Sequence, residues 1–152
     1  MQTNLKEAET IAIAPTSAQL LKIGQVATQS DFSVKTIRYY EEQGLLIPVV
    51  MRSPTGYRLF KPAIFNRLGF IKRAQSLGLS LNEIGEILII RDRGELPCGM
   101  VRKRLLLKQK TIHEQIEALE ILRSELQYIL SGWQEKPDRD SFDRTICPNI
   151  ET

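Results

Sequence analysis

The sequence predicts a mainly α-helical fold in which a winged helix-turn-helix is followed by one long coiled-coil helix. Two observations predict the first part: two short helical segments joined by a tight turn, and a Pro/Gly turn between β-compatible residues directly after them. The long helix is predicted by an apolar repeat of about four heptads in the C-terminal third.

The helix-turn-helix is expected to begin at Leu21, because residues 1–20 show no clear period and are predicted to form a flexible tail. Ile23, Val26 and Ala27 lie three and four residues apart, which is helical spacing. They therefore predict a first short helix.

A second short helix is predicted over Val34 to Gln43. Ser33 is a suitable N-cap because its side-chain oxygen can accept a hydrogen bond from a free backbone N–H of the first turn. Gly44 is a suitable residue to end the helix.

The wing is predicted by the turn residues Pro54 and Gly56 within the run Arg52–Arg58. Leu45 to Pro48 is expected to be an extended apolar stretch, and the turn then joins a small two-stranded hairpin.

Two further helices are expected after the wing. Pro62 suits the first turn of a third helix that reaches about Leu77, with Gly78 after it. Ser80 and Glu83 have the spacing of a capping box, which predicts the start of a fourth helix. The apolar face of that helix is formed by Leu81, Ile84, Ile87 and Leu88.

The longest periodic segment lies beyond Pro97 and predicts a coiled-coil seam. Its positions alternate in spacing between four and three residues, and seven of the nine are apolar. A helix with such a seam needs a partner, and the simplest partner is a second copy, so we expect a homodimer. The apolar positions are Val101, Leu105, Ile112, Leu119, Leu122, Leu126 and Ile129, and the polar ones are Lys108 and Gln115.

These signals divide the chain into a tail (1–20), a DNA-binding domain (21–90), a dimerisation helix (98–131) and a C-terminal loop (132–152). The net charge of +3 is unevenly distributed: residues 33–110 carry +9 and residues 111–152 carry −5. A basic middle is the footprint of a nucleic-acid binder. No run of about 18 apolar residues and no secretory signal is found, so we expect a cytoplasmic protein without a membrane span.

Three segments at this spacing resemble the MerR family of bacterial transcription regulators: "IGQVA" (23–27), "VKTIRYYEEQGLL" (34–46) and "RSPTGYR" (52–58). The resemblance covers about residues 21–131. It implies a winged helix-turn-helix, a second helix pair and a long antiparallel dimerisation helix.

The chemistry of these segments suits double-stranded promoter DNA. Lys35 and Arg38 lie on one helix face, and Ser33 and Thr36 add hydroxyl groups for phosphates or base edges. Tyr40 is expected to pack inward. The resemblance implies phosphate contacts from Arg38, Tyr39, Arg52, Tyr57 and Arg58. Lys72 and Arg73 on the third helix are candidates to extend the contact surface.

The resemblance also implies a mechanism. An effector-bound dimer bends and untwists a promoter whose recognition elements are too far apart, and RNA polymerase then responds through the DNA. No feature of the sequence supports an enzyme, because it holds no phosphate loop and no histidine near a candidate nucleophile.

The expected class of effector is inferred from the two cysteines, Cys98 and Cys147. Cys98 is expected at the start of the long helix, where the helix dipole stabilises a negative charge such as that of a thiolate. Cys147 begins "CPNIE" (147–151), which resembles the end of the metal-binding loop in the metal-sensing branch. The resemblance implies that Cys98 of one subunit approaches the loop of the other.

A thiophilic divalent metal (Hg, Zn, Cd or Pb) is therefore the expected effector. Trp133 stands about where that branch usually has a further cysteine, which leaves two thiolates per site. Two thiolates suit linear Hg²⁺, whereas Zn²⁺ normally has four ligands. A redox response of the two thiols and an organic effector remain the alternatives.

Overall fold

The computed structural model describes residues 19–151. Apart from Gln19 and Leu20, the tail expected over residues 1–20 lies outside this range. The chain divides into two compact units, one that ends at Pro97 and one that begins at Cys98.

The N-terminal unit contains four helices, three short strands and one 3-10 helix within its described residues. In chain order these are β1 (Leu21–Lys22), α1 (Ile23–Gln29), α2 (Val34–Glu42), the 3-10 helix (Ile47–Val49), β2 (Val50–Arg52), β3 (Arg58–Phe60), α3 (Ile64–Ser76) and α4 (Leu81–Asp92).

The wing contains one strand more than the predicted two-stranded hairpin. The sheet has the antiparallel order β1-β3-β2, and Leu21 pairs with Phe60 while Lys22 pairs with Leu59. A strand of two residues is too short to show an alternating pattern, so only its pairing with β3 reveals it.

The expectation of an extended stretch over Leu45 to Pro48 was wrong. Leu45 and Leu46 are buried, and a 3-10 helix covers Ile47–Val49 with Pro48 in its first turn. The fixed φ of proline is compatible with such a turn, and a short apolar run does not distinguish it from a strand.

The predicted helix ends agree closely with the structure. The Ser33 side chain accepts a hydrogen bond from the Thr36 N–H, and Ser80 and Glu83 form the complete capping box. Gly44 has a φ of +76°, a left-handed conformation that favours glycine. The third helix begins at Ile64 instead of Pro62, which lies in the turn before it.

The core of the N-terminal unit is formed by buried side chains from α1, α2, β3, α3 and α4 and from the segment between α2 and β2. Ile84, Ile87 and Leu88 of the predicted α4 face are buried, and Leu81 is half-buried. Each fully buried side chain of this size contributes about 1.5–3 kcal/mol. The largest fully buried side chains are Phe60, Ile37, Leu46, Ile64, Leu68, Ile71, Ile84, Ile87 and Val26.

The C-terminal unit consists of α5 (Cys98–Ser131), a loop and a 3-10 helix (Arg139–Ser141). None of the 34 residues of α5 is buried in the single chain. Within residues 19–151, no helix is both long enough and apolar enough to cross a membrane.

Candidate nucleic-acid interface and thiol loop

Helix α2 has one face in the core and one face in solvent. Ile37 and Tyr40 are buried, whereas Lys35, Arg38 and Tyr39 are exposed. A helix whose exposed face carries two cations and a phenol can contact phosphates and base edges.

Ser33 and Thr36 stand at the start of this face. The Ser33 hydroxyl accepts from the Thr36 N–H at 3.1 Å and shares a hydrogen bond with the Thr36 hydroxyl at 2.9 Å. Both hydroxyls are therefore engaged in the helix cap, which fixes their position relative to Lys35 and Arg38.

Tyr40 anchors α2 to the rest of the unit, in agreement with its predicted inward packing. Its hydroxyl donates to the Gln75 Oε1 atom of α3 at 2.8 Å, and its ring meets the Phe32 ring edge-on at 5.8 Å. Burial raises the pKa of Tyr40 above its usual value of 10.0.

The wing turn is held by its own backbone. Ser53 and Tyr57 close the turn through an N–H to carbonyl hydrogen bond of 2.9 Å, and Gly56 has a φ of +87°. The Arg52 Nη1 atom donates to the Gly56 carbonyl at 3.2 Å. The Tyr57 side chain at the tip is left exposed.

Glu41 joins the wing to α2. Its Oε1 atom accepts from Arg52 Nη2 at 3.1 Å, and its Oε2 atom accepts from Arg58 Nε. The Glu41 side chain is only 13% exposed, so this pair of contacts is better shielded from solvent than an ordinary surface ion pair. Sequence reasoning missed Glu41, because a carboxylate in a short helix does not by itself indicate a distant partner.

An open groove of about 520 Å³ lies between the start of α1, α2 and the wing. Arg38, Tyr57 and Arg58, three of the predicted DNA contacts, line it together. Lys22 and Gln25 line it as well and were not predicted. The other lining residues are Ile23, Gly24 and Gly56.

Lys72 and Arg73 of α3 are not among the lining residues of this groove. Lys72 forms an ion pair with Asp31 at 3.2 Å and lies 5.9 Å from the centre of the Phe32 ring. Arg73 donates to the Ser76 hydroxyl at 3.4 Å. Both stay exposed, and Lys72 borders the turn between α1 and α2.

The two cysteines lie near opposite ends of the C-terminal unit in the sequence. Cys98 is the first residue of α5 and is exposed, whereas Cys147 is half-buried in the C-terminal loop, and both are free. Within the described part of the chain, no group of three or more His, Cys, Asp or Glu side chains could hold a metal ion.

The loop around Cys147 is ordered by two sets of hydrogen bonds. The Glu151 carboxylate accepts from the backbone N–H groups of Ile146 at 3.0 Å and Cys147 at 3.2 Å. The Asn149 side chain pairs with the backbone of Gln134, at 2.9 and 3.0 Å. The "CPNIE" segment is thereby fastened to the chain just beyond α5.

The seam of α5 remains accessible in the single chain. Ile112, Leu119, Leu122 and Leu126 are 47–64% exposed. Val101, Leu105 and Ile129 are half-buried. An apolar stripe of this length exposed to water is unfavourable and is typical of an interaction surface.

Two family models match the chain. One, described as "MerR HTH family regulatory protein", matches residues 21–89, and the other, "MerR, DNA binding", matches residues 65–129. Together they cover both the winged helix-turn-helix and nearly all of α5.

Curated relatives extend this similarity over most of the chain. The mercuric resistance operon regulatory protein of Bacillus cereus is 37% identical over 131 residues, which are 86% of this chain and 95% of that protein. The HTH-type transcriptional regulator CueR of Escherichia coli is 34% identical over 86% of this chain and 92% of that protein.

The fold is also similar to that of a solved transcription regulator. The transcription regulator PbrR691 from Ralstonia metallidurans, in complex with lead(II), matches with a TM-score of 0.67 and 32% identity. The match covers 79% of this chain and 93% of that chain.

Proposed function

The chain belongs to the MerR family of transcriptional regulators, and from that premise we propose that it is a homodimer that switches a promoter in response to a thiophilic divalent metal ion. The observation that carries the metal part of the proposal is the placement of its two thiols, one at the start of the long helix and one in the ordered "CPNIE" loop.

The exposed face of α2 and the wing form the DNA-contacting surface. Arg38, Tyr57 and Arg58 share one groove, which supports the idea that they hold the same stretch of DNA backbone. Lys35 and Tyr39 lie on the same helix as Arg38. Ser33, Thr36 and Arg52 complete the surface, and Lys72 and Arg73 extend it along α3.

The charge pattern of α5 supports an antiparallel dimer. Residues 101–110 carry five basic and no acidic side chains, whereas residues 111–125 carry four acidic side chains and one arginine. An antiparallel partner places the basic half of one helix beside the acidic half of the other, but a parallel partner would bring like charges together. The exposed apolar seam is then buried between the two helices.

An antiparallel arrangement also places the two kinds of thiol near each other. The N-terminal end of one α5, with Cys98, meets the C-terminal end of the partner helix, from which the loop with Cys147 follows. Glu151 and Asn149 already hold this loop in place, which lowers the conformational cost of binding an ion.

The donor set favours Hg²⁺ over Zn²⁺. Two thiolates satisfy a linear Hg²⁺ ion, but Zn²⁺ normally has four ligands, and the chain has only two cysteines. The Bacillus cereus relative is named for mercuric resistance, and the PbrR691 structure contains lead(II), which supports a thiophilic metal in general.

The regulatory step is a distortion of promoter DNA in the effector-bound dimer. Bending and untwisting realign the recognition elements, and RNA polymerase responds through the DNA. The energy of such a distortion, of order 1–6 kcal/mol for a smooth bend, must be supplied by differential contacts in the two states. Such a dimer acts in the cytoplasm, where it meets the promoter.

A metal titration of the reduced dimer tests the proposal. Thiolate-to-metal absorbance is followed for Hg²⁺, Zn²⁺ and Cd²⁺ in the presence of excess competing monothiol, beside Cys98→Ser and Cys147→Ser. We expect saturable Hg²⁺ binding that either substitution abolishes. Binding indifferent to both substitutions would overturn the metal site, and a response to oxidants or organic ligands would then identify the effector class.

A further inference from the structure

Arg67 of α3 contacts both α4 and the segment between α2 and β2. Its Nη1 and Nη2 atoms pair with both carboxylate oxygens of Asp92, at 2.7 and 2.9 Å. Its Nε atom donates to the backbone carbonyl of Leu45. The Arg67 side chain is only 8% exposed, so these contacts lie in a region of reduced solvent screening.

These contacts connect three distant parts of the chain. Asp92 is the last residue of α4 and stands six residues before Cys98, where α5 begins. Leu45 stands between the end of α2 and the strand β2 of the wing. Arg67 therefore links the end of α4 to the segment that determines how the wing follows α2.

A second contact brings α4 to the same segment. A Cβ atom built on Gly85 of α4 would lie 3.5 Å from the Leu45 Cδ2 atom, so the helix backbone passes close to the Leu45 side chain. The backbone N–H of Leu45 donates to the Tyr40 carbonyl at 3.0 Å. The Leu45 segment is thus hydrogen-bonded to both α2 and Arg67, and it lies close to the backbone of α4.

We infer that Arg67 and Asp92 are positioning residues for DNA binding: they hold the α2–wing junction through the Leu45 carbonyl without touching DNA themselves. The inference rests on the proposed DNA surface. Asp92 ends α4, close in sequence to the start of α5. A displacement of the end of α4 would therefore be transmitted through Arg67 to the Leu45 segment and the wing.

The sign of the effect distinguishes positioning from simple electrostatics. Asp92→Asn makes the protein more positive by one charge, and on charge alone it would strengthen binding to the polyanion. Loss of positioning predicts the opposite. We expect Asp92→Asn to weaken binding about fivefold, which corresponds to about 1 kcal/mol. We expect Arg67→Gln to weaken binding about tenfold.

The experiment uses the full-length dimer and a duplex that the wild-type protein selects from a random pool. Glu95→Gln is the matched control for Asp92→Asn, because it makes the same charge change in the segment just after α4. Arg91→Gln is the matched control for Arg67→Gln, because Arg91 is an exposed cation one residue before Asp92. Thermal unfolding shows whether each variant is folded.

Two readouts separate a positioning pair from other roles. The double variant should bind no more weakly than Arg67→Gln alone, because the two residues act through one contact. The slope of log affinity against log salt should stay at the wild-type value, because no phosphate contact is removed.

Tighter binding by Asp92→Asn, or binding equal to that of Glu95→Gln, would overturn the inference. Additive effects of the two substitutions would overturn it as well. If Arg67→Gln does not fold, the difference in DNA affinity between Asp92→Asn and Glu95→Gln still tests the inference. A wild-type protein that selects no duplex would instead overturn the proposed DNA surface.

Discussion

The carboxylate of Glu41 in α2 is bonded to the guanidinium of Arg58 in the wing. Arg52, on the neighbouring strand, occupies the other carboxylate oxygen at 3.1 Å. Two cations expected to face DNA are therefore held at a defined distance from α2 by an acidic residue. This contact ties the wing to α2.

We predict that Glu41→Gln weakens DNA binding although it removes a negative charge from the proposed DNA-contacting surface. An amide cannot hold two guanidinium groups as a carboxylate does, so the wing loses its fixed position. The expected loss is about tenfold, or about 1.4 kcal/mol. The measurement is duplex affinity at constant salt.

Glu42→Gln is the matched control, because Glu42 is the exposed neighbouring carboxylate of the same helix. It should bind DNA as well as the wild type or slightly better. If Glu41→Gln behaves in the same way, Glu41 does not position the wing.

Arg38 is predicted to contact a phosphate from the groove that it shares with Tyr57 and Arg58. Arg38→Ala should weaken binding to all sequences to a similar extent and reduce the salt slope by about one. Arg91→Ala, an exposed arginine of α4, should leave the slope unchanged. An Arg38→Ala slope equal to that of the wild type would contradict a phosphate contact at this position.

The seam of α5 is predicted to hold the dimer together. Leu119→Asp should place a carboxylate in the apolar interface and raise the dimer dissociation constant by about a hundredfold or more, since burying an unpaired charge costs several kcal/mol. Sedimentation equilibrium measures this shift.

Ile121 provides the control for the seam, because it is 71% exposed and lies outside the heptad positions. Ile121→Asp should leave the dimer intact. Equal dissociation of both variants, or of neither, would show that the seam is not the interface.

The stability of the N-terminal unit should fall at alkaline pH through Tyr40. Because burial raises the pKa of Tyr40 above 10.0, its contribution is fully present below the unfolded pKa and is lost as the pH rises through the folded pKa. Denaturant unfolding at pH 8 and above pH 10 measures this loss in the wild type.

Tyr40→Phe removes the titrating group and the hydrogen bond to Gln75. The substitution should lower the free energy of unfolding by about 1 kcal/mol at pH 8. Between pH 8 and a pH above 10, the variant should lose less of this free energy than the wild type loses. A variant with the same alkaline loss as the wild type would exclude Tyr40 as the cause.

Local chemistry made the helices of this protein predictable. Ser33, Gly44 and the Ser80–Glu83 capping box act within a few residues of one another, so the sequence contains the whole interaction. The α4 core face follows from helical spacing in the same way. The family match and the mainly helical fold agree with these signals.

The features that sequence reasoning missed are set by partners far along the chain. The strand Leu21–Lys22 exists only through its pairing with β3, and Glu41 looks like an ordinary helix carboxylate until the wing folds against it. Arg67 likewise shows no local sign of its bonds to Leu45 and Asp92. Lys22 and Gln25 could have been suspected only from the groove that they help to line.

The proposal that one metal ion is held between two subunits is tested most directly by mixing two inactive variants. Cys98→Ser and Cys147→Ser homodimers are combined, allowed to exchange subunits, and titrated with Hg²⁺ in excess competing monothiol. If each site takes Cys98 from one subunit and Cys147 from the other, every mixed dimer has one of its two sites intact. Random exchange of equal amounts makes half of the dimers mixed, so the exchanged sample should bind one quarter of the Hg²⁺ that the wild type binds. If both thiols of a site come from the same chain, or if the cysteines are not ligands, the mixture binds no more Hg²⁺ than the separate variants, which would contradict a site shared between subunits.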